Sequence, residues 1–175
     1  MRSVRQLALA LLPLPAFLTV APRPGRDIHE DVVNTVAEFK KKDPGISKFF
    51  SGAIGYAVFP NVGKGAIGIG GAHGTGELLV GDKAIGKVTL NQVTVGFQLG
   101  GQSYSEIIFF DQQAPLDGFK KGDFAFAAEV SAVALTSGAS ANAAYRNGVA
   151  VFTLAKGGLM YEASIGGQKF DFKAY

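Results

Sequence analysis

Apolar positions change their period along the chain. Ile28, Val32, Val36 and Phe39 recur at helical spacing. Asp27 is placed to cap that helix, and Glu30 three residues later completes a capping-box pattern. Lys40, Lys41 and Lys42 fall on its last turn, where cations suit the negative end of the helix dipole. Pro44-Gly45 ends it, and a further turn is expected through Ile46–Phe50.

After Gly52 the texture becomes that of strands. Tyr56–Phe59 is a compact apolar run ended by Pro60-Asn61, and Ala66–Val80 is apolar with glycine punctuation. Val93, Val95, Phe97 and Leu99 alternate with Thr94, Gly96 and Gln98, a half-buried strand. Val88 and Leu90 have the opposite parity, which places a bulge or turn at Asn91-Gln92. Further strands are expected at Ile107–Phe110, Phe124–Leu135, Val149–Leu154, Leu159–Ile165 and Phe170–Phe172, with a short surface helix over Leu116–Lys121. The fold class is mainly β (α+β): an antiparallel sandwich or barrel-like sheet with an N-terminal helix. Ile69-Gly70-Gly71, Leu99-Gly100-Gly101 and Ile165-Gly166-Gly167 each close an apolar strand with a double glycine, read as three similar turns.

The first residues read as targeting. Arg2 and Arg5 precede an apolar stretch from Leu7 to Ala21 that Pro13 and Pro15 interrupt, and Thr19-Val20-Ala21 has the shape of a cleavage site. That stretch falls short of the ~20 apolar residues that a membrane span needs. Residues 1–21 are therefore expected to be a signal peptide, 22–26 a linker and 27–175 one domain, exported to a periplasmic or envelope location.

Composition narrows the chemistry. Of 175 residues, 47% are hydrophobic and 18% charged, which excludes a mainly disordered chain. Cysteine is absent, removing disulfides, thiol catalysis and thiolate metal sites together. Setting Arg2 and Arg5 aside, 15 basic residues face 14 acidic ones, so global charge gives no support to nucleic-acid binding.

Three motif look-alikes lack their context. Gly63–Gly68 matches G-x-G-x-x-G, but the following Ile69-Gly70-Gly71 cannot open the helix that a pyrophosphate needs. Gly81–Lys87 approaches a phosphate-binding loop, yet Val88 stands where a magnesium-binding hydroxyl is required; the segment reads as a hairpin turn. Gly138–Asn142 misses the last glycine of a nucleophile elbow. His29 and His73 have no second histidine at ligand spacing, and the carboxylates Glu106, Asp111, Asp117, Asp123 and Glu129 are scattered. No cofactor, metal or catalytic set is expected. His73, in a glycine-rich segment read as a loop, is the one residue left as a catalytic possibility.

Surface character remains. Lys40, Lys41, Lys42 and Lys48 stand close to Phe49 and Phe50, a cationic tract beside an aromatic pair. On a peripheral membrane protein such lysines meet anionic headgroups while aromatic rings enter the interface. The alternative is a helix C-terminus followed by core phenylalanines. Lys120 and Lys121, after Phe119, form a smaller second candidate.

The segment Ala53–Gly65 (AIGYAVFPNVGKG) resembles the opening signature of the SYLF family. Gly70–Gly76, Val95–Gln102, Glu106–Phe110, Gly148–Phe152, Lys156–Met160 and Ile165–Phe170 continue the resemblance, over roughly residues 28–173. The resemblance implies phospholipid binding, in eukaryotic members through a basic amphipathic N-terminal helix that maps onto Asp27–Lys42. Some members bind actin, which an exported chain would not meet. The expected function is a non-catalytic lipid-binding protein at an envelope membrane, with anionic phospholipid as its partner. The rival is a structural or protein-interaction module of the envelope without lipid selectivity.

Overall fold

The computed structural model describes residues 27–67, 69–95, 102–125, 132–157 and 165–175. Helix α1 spans Ile28–Lys42, capped by the Asp27 carboxylate, which accepts from the His29 amide. A 3₁₀ turn (Pro44–Ile46) and the short α2 (Ser47–Gly52) follow. Strands β1 (Gly55–Ile67), β2 (Ile69–Val80), β3 (Lys83–Val95) and β4 (Gln102–Phe110) come next. Then come α3 (Gln113–Lys121), the two-residue β5 (Val133–Ala134), a 3₁₀ turn (Ala139–Asn142), β6 (Val149–Gly157) and β7 (Gln168–Ala174).

The strands form one open seven-stranded sheet in the order β5-β6-β4-β1-β2-β3-β7, antiparallel except for the β5–β6 pair. The mainly β expectation holds, and among the described residues the strands make one open sheet and not a closed barrel. Gln168 of β7 nevertheless donates to Glu106 of β4 at 3.0 Å, with three strands between them in the sheet. In a flat sheet those strands would stand about 19 Å apart, four spacings of ~4.8 Å. The sheet is therefore strongly curled, and this face is its concave side.

A bulge in β1 supports the bend. Register shifts between Val58 and Asn61 against β2 and between Phe59 and Val62 against β4, which keeps Phe59 and Val62 on one face although they are three apart. Pro60, with no amide hydrogen to give the ladder, sits in that bulge, and its carbonyl accepts from buried Ser105 Oγ at 2.7 Å. Opposite it, a Cβ on Gly76 would lie 1.9 Å from the Val58 carbonyl oxygen, so only glycine permits this approach.

Each face of the sheet carries its own core. On the concave side Ala57, Phe59, Leu78, Leu90, Ile108, Phe110 and Phe170 pack with Leu116 and Phe119 of α3. On the convex side Tyr56, Val58, Leu79, Ile107, Phe109 and Phe152 pack under Val32 and Phe39 of α1 and Phe49 of α2. Neighbouring residues of one strand thus serve opposite layers, as period-2 geometry requires.

Several local expectations change. Strand β1 continues through Pro60-Asn61, because the bulge absorbs the proline. Strand β3 runs through Asn91-Gln92 without a bulge; Gln92 stays on the buried face and Val93 is left 76% exposed. Gly70-Gly71 lies inside β2, whereas Gly166-Gly167 forms a turn. Gly81-Asp82, with φ of 56° and 61°, makes the tight hairpin turn expected there. Most of the expected Leu159–Ile165 strand, the middle of Phe124–Leu135, Phe97–Leu99, the Gly100-Gly101 turn and residues 1–26 lie outside the described residues.

Candidate lipid-contact surface and a polar interior

The acidic first turn of α1 (Glu30, Asp31) and its basic last turn (Lys40, Lys41, Lys42) polarise the helix along its axis. Lys40, Lys41, Lys42 and Lys48 are all exposed, and they gather where α1 gives way to α2. The two phenylalanines are not surface residues. Phe49 is 2% exposed, with ring centroids 4.7 Å from Phe152, 5.3 Å from Tyr145 and 5.8 Å from Phe109. Phe50 is half-buried, edge-on to Phe109 at 4.8 Å and to Tyr56 at 5.2 Å. Insertion of these rings into a membrane interface is therefore replaced by a core role.

Their outer faces still serve the lysines. Lys40 Nζ lies 4.5 Å from the Phe50 centroid and Lys48 Nζ 5.1 Å from that of Phe49. Lys48 also donates to the Ala141 carbonyl at 3.4 Å. Below them, the buried Asp43 carboxylate accepts from the amides of Ser140 (2.7 Å) and Gly45 (3.1 Å). These bonds, Ser140 first, hold its carboxyl below the usual carboxylate range and pin the helix junction to the 139–142 turn.

Lys120 and Lys121 end α3, which packs on the concave side; the two lysine groups belong to opposite layers of the sheet and form no joint site. His73 lies within β2, not in a loop, where it is exposed and its Nδ1 stands 2.9 Å from Asn91 Oδ1. Gly63–Ile67 belongs to β1, and Ser140 is fully buried. Among the described residues no group of three His, Cys, Asp or Glu side chains is arranged to hold a metal ion, and no helix is long and apolar enough to cross a membrane.

Two polar features escape a reading by local motifs. A cleft of about 620 Å³ is lined by Asp27, Ile28, His29, Glu77, Ala84, Lys87 and Tyr175. Buried Glu77 accepts there from the Tyr175 hydroxyl and pairs with His29 Nδ1 at 2.8 Å, which raises the histidine pKa and ties the start of α1 to β2 and the C-terminus. The second feature is the Glu106–Gln168–Tyr104 contact inside the concave face. Its signal was parity: Glu106 shares the buried phase of Tyr104, Ile108 and Phe110, where an acid is out of place.

A mainly β domain with a curled open sheet, an exposed basic helix end and an acid-centred interior is the class these features define. Residues 91–174 match the family model described as Ysc84, Las17-binding protein actin regulator, the SYLF-type domain. The chain is similar to Beta cell expansion factor A of Aeromonas veronii, 27% identical over 146 residues, which are 79% of this chain and 55% of that protein. It thus spans about half the length of this curated relative. The family match takes in β4, α3, β6 and β7, with Glu106, Lys120, Lys121, Thr153 and Gln168; α1 and its lysines lie before it.

Proposed function

We propose that this chain is a non-catalytic phospholipid-binding protein, exported to the envelope, that acts peripherally on an anionic membrane surface. The observation that carries the reading is the grouping of Lys40, Lys41, Lys42 and Lys48 as four exposed cations where α1 gives way to α2. The match to the SYLF-type family model supports it, because the resemblance to that family implies phospholipid binding. The lysines contact headgroups from outside, and the phenylalanines hold them in place without entering the bilayer. Each lysine near such a surface contributes roughly 1 kcal/mol, and added salt screens that attraction.

The test is co-sedimentation of the purified protein with neutral and with anionic vesicles, at low and high salt. Pelleting only with anionic vesicles and weakening in salt is the expected result. Equal pelleting with both vesicles, or none with either, contradicts it. The family's description as Las17-binding favours a second reading, a protein-interaction module of the envelope. That reading is preferred if vesicles fail and a membrane-protein partner is retained.

A further inference from the structure

Hydrogen bonding inside the concave face does not close. Glu106 and Gln168 are 0% exposed and Thr153 is 1% exposed. Gln168 Nε2 donates to Glu106 Oε2 at 3.0 Å and to the Tyr104 hydroxyl at 3.4 Å. Glu106 Oε1, Gln168 Oε1 and Thr153 Oγ1 are buried with no hydrogen-bond partner. Thr153 is the register partner of Glu106 across the β4–β6 pair. Same-face partners of this kind have Cβ atoms about 4.5–5.5 Å apart. The Gln168 amide already touches the other carboxylate oxygen, so the three atoms share one neighbourhood.

Buried polar atoms are almost always paired, and three unpaired ones side by side call for a group that supplies donors. The inventory says which kind. An ionised carboxylate oxygen and an amide oxygen only accept, and a threonine hydroxyl can accept. Three acceptors and one negative charge match an ammonium, which carries three N–H donors, no acceptor and one positive charge. A carboxylate or phosphate would bring lone pairs against lone pairs and a second negative charge. Burial, partly offset by the Gln168 bond, pushes Glu106 up to about 7, so a cation beside it restores the ionised form. Lys64 faces the same side, but its register partner is Gln102, and among the described residues no bond joins it to this cluster.

We propose that Glu106, Gln168 and Thr153 form a binding site for a primary ammonium group. A hydrocarbon attached to it would have Phe59, Ile108, Val151 and Phe170 of the same core as its apolar neighbours. Gln168 belongs to β7, which among the described residues is an edge strand held by β3 and a bridge to Ala125, on the side of the sheet away from its central strands. The site is independent of the membrane reading, because Lys40–Lys42 belong to the other layer.

The test is calorimetric titration of the purified protein at pH 8 with ethylamine and with n-octylamine. Ethanol, n-octanol and octanoate serve as controls. The expected result is amine binding at least about tenfold tighter than the alcohol or acid of equal chain length. Binding of both amines assigns a small free amine; binding of octylamine alone assigns the amine end of an amphiphile. Glu106→Gln, checked for folding by circular dichroism, should lose about tenfold or more in affinity. Thr153→Val should weaken binding severalfold. In the wild type, the ¹³C carboxyl resonance of Glu106 should titrate at a lower pH when amine is present, a readout that a purely structural role would leave unmoved. No preference for amines at either chain length, or wild-type affinity in a folded Glu106→Gln variant, overturns the proposal; should that variant not fold, an unmoved Glu106 titration does so. Lys40/Lys41/Lys42→Ala should bind amine normally whatever its vesicle binding.

Discussion

The two faces of this sheet are built from alternate residues of the same strands and differ in what they bury. The convex face is aromatic: Tyr56, Phe109 and Phe152 meet Phe49 and Phe50 at centroid distances of 4.7–5.8 Å. The concave face is apolar beneath α3 but further in buries Glu106, Gln168, Gln92 and Thr153. One side is thus a support for the helices and their lysines. The other keeps an acid away from water, where only a specific partner or a proton can satisfy it.

The largest expected effect breaks the convex face. Phe49→Ala removes a ring held against three others and should destabilise by about 3–5 kcal/mol in denaturant unfolding. A loss of vesicle binding with unchanged stability would instead make Phe49 a membrane residue.

The concave face should show itself through pH. Burial raises Glu106 from the ordinary 4.5 to about 7. Between those values the folded chain holds a proton that the unfolded chain has released, so stability falls as pH rises from 4.5 and levels off above about 7. The loss is on the order of 3 kcal/mol. Glu106→Gln should flatten this slope and be more stable than wild type at pH 8, read as urea midpoints at pH 5 and 8. His29, raised by Glu77, adds a smaller change of the same sign that begins at the ordinary 6.5 and ends above its raised pKa; it persists in the Gln variant. Asp43, whose pKa is lowered, loses its contribution only as pH falls below the ordinary 3.8, outside this window.

Gly76→Ala should cost about 1–3 kcal/mol, because the new methyl meets the Val58 carbonyl and the bulge must open. An unchanged melting temperature would show that the bend does not depend on this contact. Smallest is Lys48→Ala, expected to lose at most about 1 kcal/mol of stability, since its cation–π contact is exposed.

Local signals in the sequence carried the elements well. The Asp27 cap, the 3.6-residue period of α1, the Gly81-Asp82 turn and the mainly β class were all legible, because each depends on neighbours a few residues apart. The curl was not, because it arises from a bulge around Pro60 and the absence of a side chain at Gly76, whose effects appear only once three strands pair. Val88 and Val93 show the same limit: their clash of parity looked like a bulge, whereas β3 keeps its phase and simply exposes Val93. The lysines were visible as a tract. That Phe49 and Phe50 face inward depends on strands more than 50 residues later. Glu106 was visible only as one of several scattered acids, since Gln168, 62 residues away, is what gives it a neighbourhood.

The most direct measurement compares two lysine variants on anionic vesicles: Lys40/Lys41/Lys42→Ala on the convex side and Lys120/Lys121→Ala on the concave side. The expected result is that the triple variant loses roughly 3 kcal/mol of partitioning, about a hundredfold, while the double variant pellets nearly as wild type. Wild-type pelleting by the triple variant would contradict the assignment of the membrane surface to the end of α1.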